Sequence, residues 1–368
     1  MHLSSLHLIQ FKNISSQKLE FSPRINFLVG LNGVGRPTCL DAIHFLCLVR
    51  SHRSIPDKNL VKTDCDFFRL DAQMVLDEQS KHLVAKYQVG KRKEFELNGA
   101  GFSKMSDYIG TFPVVMIAPD DVSLVSEGSE ERRRFLDTTI SQIDPAYLDA
   151  LIRYNQLLKQ RNALLKTFAE TGRFDPDLLG TYNLQMLEPA DVVFNARKAF
   201  VTAFEPVLNT FYAAISGDKE SIQMEYTSDL HTALMSDLLA TSEAKDRILQ
   251  RTNKGPHKDD LDLQIDGLAA KKYASQGQLK SLLLALRLAQ YELLRKARGT
   301  DPLLLLDDIF DKLDENRVKQ LIGLIIQENF GQLFITDTHR DRMEQILEAF
   351  PGDHRFFEVD NGEFTTSV

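Results

Sequence analysis

The sequence lacks tryptophan altogether, contains few cysteines and has no long hydrophobic run. Its 368 residues include 3 cysteines, at positions whose spacing matches no metal-binding motif. Reduced cysteines in an odd number are typical of a cytosolic protein and not of a secreted, disulfide-stapled one. The longest apolar stretches, such as 282–286 and 303–306, are far too short to span a bilayer, and no secretion leader is recognisable. We therefore expect a cytoplasmic protein with no membrane segment.

A surplus of positive charge is also missing. The chain carries 44 lysines and arginines against 52 aspartates and glutamates, which gives a formal net charge of -8 and a sequence pI near 5.7. This balance argues against a protein that coats nucleic acid by charge alone. Local basic clusters remain, although a single cluster is usually a solvated surface. Our candidates for DNA or dimer contacts among these clusters are Arg53, Lys91, Arg92, Lys93, Arg132 and Arg133.

Strand-like and helix-like patterns divide the chain into three stretches. Strand-like patterns dominate residues 1–120 and return after residue 251, where they alternate with helical patterns. Between them, apolar residues recur with a helical period, and Pro189 is expected to kink or divide the second long helix. We therefore predict an α/β fold, with a head made of residues 1–120 and 251–368 and an inserted, mainly helical arm of residues 121–250.

The most informative segment follows the apolar run 25–29, which predicts a buried strand. Its glycines allow backbone N–H groups to curl round a polyphosphate at the positive end of the next helix. The usual pattern is G-x-x-x-x-G-K-[ST], in which the lysine reaches the β- and γ-phosphates and the hydroxyl holds Mg²⁺. Here an arginine and a proline replace the lysine and the hydroxyl residue. The predicted nucleotide-binding residues are Gly30, Leu31, Asn32, Gly33, Val34, Gly35, Arg36, Pro37 and Thr38.

A second motif supports the phosphate-binding interpretation. Residues 303–306 predict a buried strand that ends in two carboxylates, Asp307 and Asp308, in the manner of a Walker B motif. In that role Asp307 would hold Mg²⁺, and Asp308 would orient or deprotonate the attacking water. The alternative is a core strand that happens to end in an acidic turn, and this motif alone leaves both open.

A third motif lies upstream of this strand. Ser275, Gly277 and Gln278 stand at the start of a predicted long helix. Serine and glycine at a helix N-terminus form a second anion site. The segment resembles the signature motif of ABC and SMC-type ATPases, whose serine and glycine meet the γ-phosphate held by a partner subunit.

Two further residues extend the series by the same resemblance. Asp314 matches the D-loop, and His339, which follows the predicted strand 332–336, matches the switch histidine. A lone histidine after a strand is more often structural than catalytic. Its place in this series favours a catalytic role.

In their order along the chain, the motifs resemble one family over essentially the whole sequence. The run Gly-Pro-His-Lys-Asp-Asp-Leu at 255–261 is highly specific, and generic ABC ATPases lack it. The sequence is therefore similar to the RecF family of bacterial DNA replication and repair proteins. The matching segments are 11–13, 30–35, 50–54, 118–121, 132–137, 158–162, 255–261, 275–278 and 307–314.

This resemblance implies an ABC/SMC-type P-loop ATPase head, with mixed sheets and flanking helices, that carries a compact helical arm. It implies ATP and Mg²⁺ as cofactors, and a homodimer that forms on ATP with each nucleotide between the loop of one subunit and the signature of the other. It further implies binding to single-stranded and double-stranded DNA, action with RecR and RecO, and help in loading RecA at single-strand gaps. The expected function is an ATP-driven clamp in recombinational repair and replication-fork maintenance.

Arg36 and Pro37 depart from the family pattern. A guanidinium is wider than an ammonium and poorly interchangeable with it in such a site. Pro37 removes the hydroxyl and one backbone N–H, and it is expected to push Arg36 away from the helical conformation. Thr38 is rotated by roughly 100° along the helix, so we expect that it cannot easily substitute for the missing hydroxyl residue. Because losing one preorganised contact typically costs about 10²–10³ in rate, we expect ATP turnover near background.

Several alternatives stay open. The two replacements could be those of a natural nucleotide-impaired homologue, a deliberate loop variant or an error at two adjacent codons. The intact motif residues Asp307, Asp308, Ser275 and His339 favour a recent or artificial change. The functional alternatives are a nucleotide-independent DNA-binding or adaptor protein and, more remotely, the ATP-binding subunit of a membrane transporter. The helical arm and the run 255–261 count against the transporter.

Overall fold

The computed structural model describes residues 1–31, 33–53, 55–217, 220–309, 318, 321, 323–325, 328, 330–349 and 353–367. The chain forms two compact units, a first unit of Met1–Asp121 with Leu284–Val368 and a second unit of Val122–Leu283. From the sequence we predicted a head of residues 1–120 and 251–368 and an arm of residues 121–250. These limits remain a prediction. No helix in the part of the chain that the structure describes has the length and hydropathy of a membrane span.

The strands of the described residues, in chain order, are β1 (His2–Phe11), β2 (Ile14–Glu20), β3 (Ile25–Val29), β4 (Phe67–Leu76), β5 (Gln79–Gln88), β6 (Glu94–Leu97), β7 (Ala100–Gly101), β8 (Val114–Ile117), β9 (Ile222–Thr227), β10 (Asp260–Ile265), β11 (Leu268–Ala269), β12 (Leu303–Asp307), β13 (Leu333–Asp337), β14 (His354–Asp360) and β15 (Glu363–Ser367). The α-helices are α1 (Arg36–Leu48), α2 (Ser123–Ser126), α3 (Ser129–Ile143), α4 (Pro145–Thr171), α5 (Pro176–Ser216), α6 (Met235–Leu249), α7 (Ala270–Tyr273), α8 (Gln276–Arg298) and α9 (Arg340–Ala349).

One sheet of the first unit is mainly parallel, with the strand order β15-β14-β3-β13-β12-β8. Its strands run parallel to their neighbours except β15, which pairs with β14 as an antiparallel hairpin. Strands β3, β12 and β13 are buried along their whole length, as expected of strands covered on both faces. Parallel strands end at the same edge of a sheet, so the residues that follow β3, β12 and β13 lie along one edge.

The other sheet of the first unit is antiparallel, with the order β2-β1-β4-β5-β6-β7. Buried residues alternate with more exposed ones along β4, which is typical of a sheet with one face on the core. Helix α1 is buried along nearly its whole length and contacts strands of both sheets. Its Phe45 meets Phe68 of β4 with ring centroids 5.3 Å apart. The helix that follows the glycine-rich loop is therefore central to the core of this unit.

The second unit combines helices with a small antiparallel sheet of order β11-β10-β9. Helices α4 and α5 pack against each other, and α6 packs on both. We predicted that Pro189 would kink or divide this helix; α5 continues through Pro189, so the division is wrong. Pro189 is buried, and its neighbour Ala190 packs in an apolar cluster with Tyr154 and Leu157 of α4. We infer that this packing offsets the backbone hydrogen bond that the proline removes.

Candidate nucleotide-binding site

The glycine-rich loop connects β3 to α1 at the carboxyl edge of the parallel sheet. Gly33 and Gly35 have φ angles of +85° and +111°, which residues with a side chain rarely adopt. At Gly30, a β-carbon would collide with the main-chain carbonyl of Val359. The shape of the loop therefore depends on its glycines. Asn32, which we predicted in this set, lies outside the described residues.

Asn13, in the turn between β1 and β2, fastens the loop. Its Nδ2 donates to the carbonyl of Val34 at 3.3 Å, and its Oδ1 accepts from Thr38 Oγ1 at 2.8 Å. Its Nδ2 also fills the space that a β-carbon on Gly35 would need. The Thr38 hydroxyl is thus engaged inside the protein, which agrees with the expectation that it does not replace the missing hydroxyl.

Pro37 lies in the first turn of α1, which begins at Arg36. The expected displacement of Arg36 from the helix is therefore wrong. The first N–H groups of a helix have no acceptor within the helix, so a proline removes no helical hydrogen bond there. Pro37 therefore leaves the helix intact and affects only ligand binding, because it offers neither a hydroxyl nor an N–H to a phosphate.

The Arg36 side chain is buried and points to the end of β12. Its Nη1 donates to Asp308 Oδ1 at 2.7 Å and its Nη2 donates to Asp308 Oδ2 at 3.1 Å. Arg36 is 1% exposed and the Asp308 side chain 23%. Two parallel charge-assisted bonds make this a strong and directional ion pair. The arginine at the lysine position therefore holds the carboxylate that we expected to orient water.

Asp307 is buried beside this pair. Thr336, at the end of β13, donates from Oγ1 to Asp307 Oδ1 at 2.8 Å. Burial raises the pKa of Asp307 and the charge of Asp308 raises it further, against the opposing effects of the Thr336 hydrogen bond and of Arg53. Arg53, one of our basic candidates, thus favours the charged form of Asp307.

His339 follows β13 at the same edge of the sheet. Its backbone N–H donates to Asp337 Oδ1 at 2.7 Å, while its side chain is 64% exposed. The Asp337 carboxylate is buried and also accepts from Arg342 Nη1 at 2.9 Å. The turn is thus fixed by its backbone, and the imidazole is presented to solvent.

The signature-like residues belong to the second unit. Ser275 Oγ accepts from the N–H of Gln278 at 3.2 Å, and Gln278 Oε1 accepts from the N–H of Ser275 at 2.7 Å. This reciprocal pair is a capping box that starts α8. Ser275 is exposed and Gly277 is half-buried. Asp314, the expected D-loop residue, lies outside the described residues.

The remaining basic candidates differ in their surroundings. Arg132 is buried and binds both carboxylate oxygens of Asp260, at 2.7 and 3.0 Å. Lys93 donates to the Val49 carbonyl at 2.6 Å and pairs with Asp57 at 2.9 Å. Lys91 and Arg92 are exposed between β5 and β6. The geometry therefore gives Arg132 and Lys93 structural partners and leaves Lys91 and Arg92 open to solvent.

Sequence reasoning missed the two polar residues that organise the site. Asn13 appeared only within a matching segment, and Thr336 only as the last residue of a predicted strand. A hydroxyl residue at the end of a strand is a usable signal once the strand is known to neighbour the one that ends in carboxylates. Recognising Thr336 requires the strand order, which cannot be deduced from the sequence alone.

The glycine loop after β3 and the two carboxylates at the end of β12 define the first unit as a P-loop ATPase head of the ABC/SMC class. This chain belongs to the RecF/RecN/SMC N-terminal domain family, whose sequence model matches residues 2–352. The fold class and the family resemblance expected from the sequence are confirmed.

The relatives within the family carry a more specific name. A "DNA replication and repair protein RecF" of Flavobacterium johnsoniae is 43% identical, over 98% of this chain and 100% of its own length. The protein of the same name from Porphyromonas gingivalis strain ATCC 33277 is 40% identical over 99% of both chains. RecF relatives thus match this chain along nearly its entire sequence.

Solved structures agree. The recombination mediator protein RecF-ATP in the RecFOR pathway has a TM-score of 0.89 and 30% identity, covering 100% of this chain and 98% of its own. The corresponding RecF-ATPrS structure has a TM-score of 0.88 at 30% identity, with the same coverage. An Smc head domain from Pyrococcus furiosus, at 16% identity and a TM-score of 0.57, shares the fold.

Proposed function

We propose that this chain is an ATP-dependent DNA-binding protein of the RecF type, serving recombinational repair and replication-fork maintenance, in which an ion pair suppresses ATP hydrolysis. The family membership and the relatives described as DNA replication and repair proteins support the biological role. The likeness to a RecF-ATP structure supports nucleotide binding. The single observation that carries the suppression is the two-point contact of Arg36 with Asp308.

The loop keeps what polyphosphate binding requires. Its glycines permit the cradle conformation, and the N-terminus of α1 directs N–H groups and a partial positive charge toward it. Arg36 contributes a full positive charge at the same place. We therefore assign ATP to the loop residues Gly30, Leu31, Asn32, Gly33, Val34, Gly35, Arg36, Pro37 and Thr38.

The residues present do not complete a Mg²⁺ site. Asp307 supplies one carboxylate, but Pro37 has no hydroxyl, and the Thr38 hydroxyl is bonded to Asn13. Within the described residues, no group of three or more His, Cys, Asp or Glu side chains could hold a metal ion. The expected Mg²⁺ role is thus reduced to an ion carried in with ATP, and we derive no step through it.

Suppression follows from competition for Asp308. A carboxylate that orients or deprotonates water must be free to accept the water's proton. In the ion pair with Arg36 each Asp308 oxygen accepts a hydrogen bond from the guanidinium, so both oxygens are engaged. A γ-phosphate that attracts Arg36 would have to break this pair. ATP binding and the ion pair therefore oppose each other.

The remaining roles follow the family. We assign His339 and Asp308 to the reaction site, Asp307 to contact with the ion carried in with ATP, and Asp314 to the D-loop. Ser275, Gly277 and Gln278 would meet nucleotide held by a second copy in an ATP-dependent homodimer. The proposed partners are single-stranded and double-stranded DNA, RecR with RecO, and indirectly RecA. The proposed location is the cytoplasm.

A second function, a nucleotide-independent DNA-binding or adaptor protein, is favoured by one observation. Arg36 is 1% exposed, so the position that faces phosphate in P-loop proteins is already closed by a satisfied ion pair. The two functions differ in whether ATP changes the assembly of the protein.

Light scattering with titrated Mg·ATP separates the two functions, using the parent chain and an Arg36→Lys/Pro37→Thr variant. The proposal predicts that the variant dimerises on ATP at lower nucleotide concentration than the parent. Dimerisation of both at the same concentration would show that the cradle suffices and that the ion pair has no effect. A lack of response in both would favour the nucleotide-independent function.

A further inference from the structure

The run 255–260 forms the loop that leads into β10, within the second unit, and most of its polar groups point inward. Arg197 of α5 is buried and donates from Nη1 to the Pro256 carbonyl at 2.7 Å and to Asp259 Oδ2 at 3.2 Å. Asp260 pairs with the buried Arg132. The end of the loop is thus held by two arginines from two different helices.

The start of the loop is held as firmly. His257 Nε2 lies 3.0 Å from the carbonyl of Thr252, and His257 Nδ1 lies 2.7 Å from the hydroxyl of Tyr154. Since a carbonyl only accepts, Nε2 carries the proton and the tyrosine donates to Nδ1. Gly255 has a φ angle of +118°, and a β-carbon there would come within 2.6 Å of the Tyr154 hydroxyl. The loop therefore has little freedom to rearrange.

Lys258 is the exception in this loop. It ends the 3₁₀ turn Pro256–Lys258 and is exposed. No ion pair of Lys258 occurs among the residues that the structure describes. Arg133 of α3 lies beside it and donates from Nη1 to the main-chain carbonyl of the next residue, Asp259, at 2.6 Å. A rigid loop thus presents one cation to solvent with a second cation next to it.

The buried ion pairs that hold this loop cost free energy of desolvation, which suggests that they serve a function. Charged side chains lose hydration when they are buried, and ion networks of this kind are in some proteins retained because they fix one geometry. Arg197 and Asp259 are both buried to about the same extent, each 2% exposed. The geometry that they fix is the position of the turn that carries Lys258.

We propose that Lys258, with Arg133 beside it, contacts the phosphodiester backbone of DNA. An ammonium held as a point charge suits a phosphate oxygen, and such contacts set the position of a protein on DNA without reading the sequence. In a chain with a net charge of -8, DNA must be met at local cationic points of this kind. This contact rests on the DNA binding proposed above and names a surface for it.

The test is the salt dependence of DNA affinity, measured by fluorescence anisotropy with a labelled duplex carrying a single-stranded tail. Lys258→Ala is expected to weaken binding by about three- to tenfold at physiological salt and to lower the slope of log K against log salt by about one. Lys258→Arg should bind like the parent. Lys245→Ala removes another exposed lysine, from α6, and serves as the charge-matched control.

The outcomes separate this contact from the proposed function. If the parent binds DNA, and Lys258→Ala binds with the same affinity and slope, the contact is wrong while the function stands. If Lys258→Ala and Lys245→Ala weaken binding equally, only net charge matters and the contact is again wrong. A parent that binds no DNA, with or without ATP, would overturn the function and the contact together.

Discussion

Thr336 and Asp307 are joined across neighbouring strands by a hydrogen bond of 2.8 Å in which the threonine hydroxyl donates. The same hydroxyl oxygen accepts from the backbone N–H of Asp308 at 2.9 Å. Asp308 has a φ angle of +45°, a conformation that residues with side chains adopt only where their surroundings enforce it. One hydroxyl at the end of β13 thus holds the carboxylate of Asp307 and the backbone of Asp308.

We predict that Thr336→Val destabilises the first unit and that Thr336→Ser does so far less. The valine leaves a buried carboxylate without its donor, which costs about 1–3 kcal/mol in the free energy of unfolding. Because the lost bond favours the charged form, the pKa of Asp307 rises further and the loss is larger at pH 7 than at acidic pH. Urea unfolding at both pH values measures this. A loss independent of pH would point to packing alone.

A second prediction concerns the ion pair of Arg161 with Asp246, whose side chains are both 0% exposed. Asp246→Ala leaves a buried guanidinium uncompensated and should lower the free energy of unfolding by about 3–5 kcal/mol. The apolar double variant Arg161→Met/Asp246→Leu should lose less. The control is Arg153→Ala, which lies on α4 like Arg161 and breaks an exposed ion pair with Glu188. Unfolding in guanidinium chloride measures these differences in the free energy of unfolding. Equal losses for Asp246→Ala and Arg153→Ala would contradict the prediction.

The third prediction is a loss of stability in mild acid. Burial lowers the pKa of His257 to about 4, so its stabilising effect is fully present above its unfolded pKa near 6.5 and is lost as the pH falls toward 4. The His257→Gln variant should lack this part of the pH dependence. Unfolding free energies measured between pH 7 and pH 4 test it. Parallel curves for parent and variant would show that the histidine titrates normally.

Much of the site could be predicted from the sequence because its parts are local. The loop Gly30 to Gly35 and the apolar strand before Asp307 are patterns of neighbouring residues, and parallel strands place such ends together. The sequence could not predict that Arg36 would reach Asp308, because the two lie 272 positions apart. Contact at that separation depends on strand order.

The errors have a common physical origin. We expected Pro37 to displace Arg36 from the helix and Pro189 to kink or divide α5. Both expectations applied a local steric rule to positions where the environment offsets it, since Pro37 falls in a first turn and Pro189 is buried among packed helices. The run 255–260 had no explanation in the sequence because its partners come from α3, α4 and α5.

The most direct test of the account is steady-state ATP hydrolysis by the parent chain and by Arg36→Lys/Pro37→Thr, at saturating Mg·ATP and with DNA present. Asp308→Asn in the double-variant background controls for contaminating ATPases. If the ion pair of Arg36 with Asp308 suppresses hydrolysis, the parent stays at background and the double variant is faster by about 10²-fold or more. Equal rates for the two chains would contradict the account.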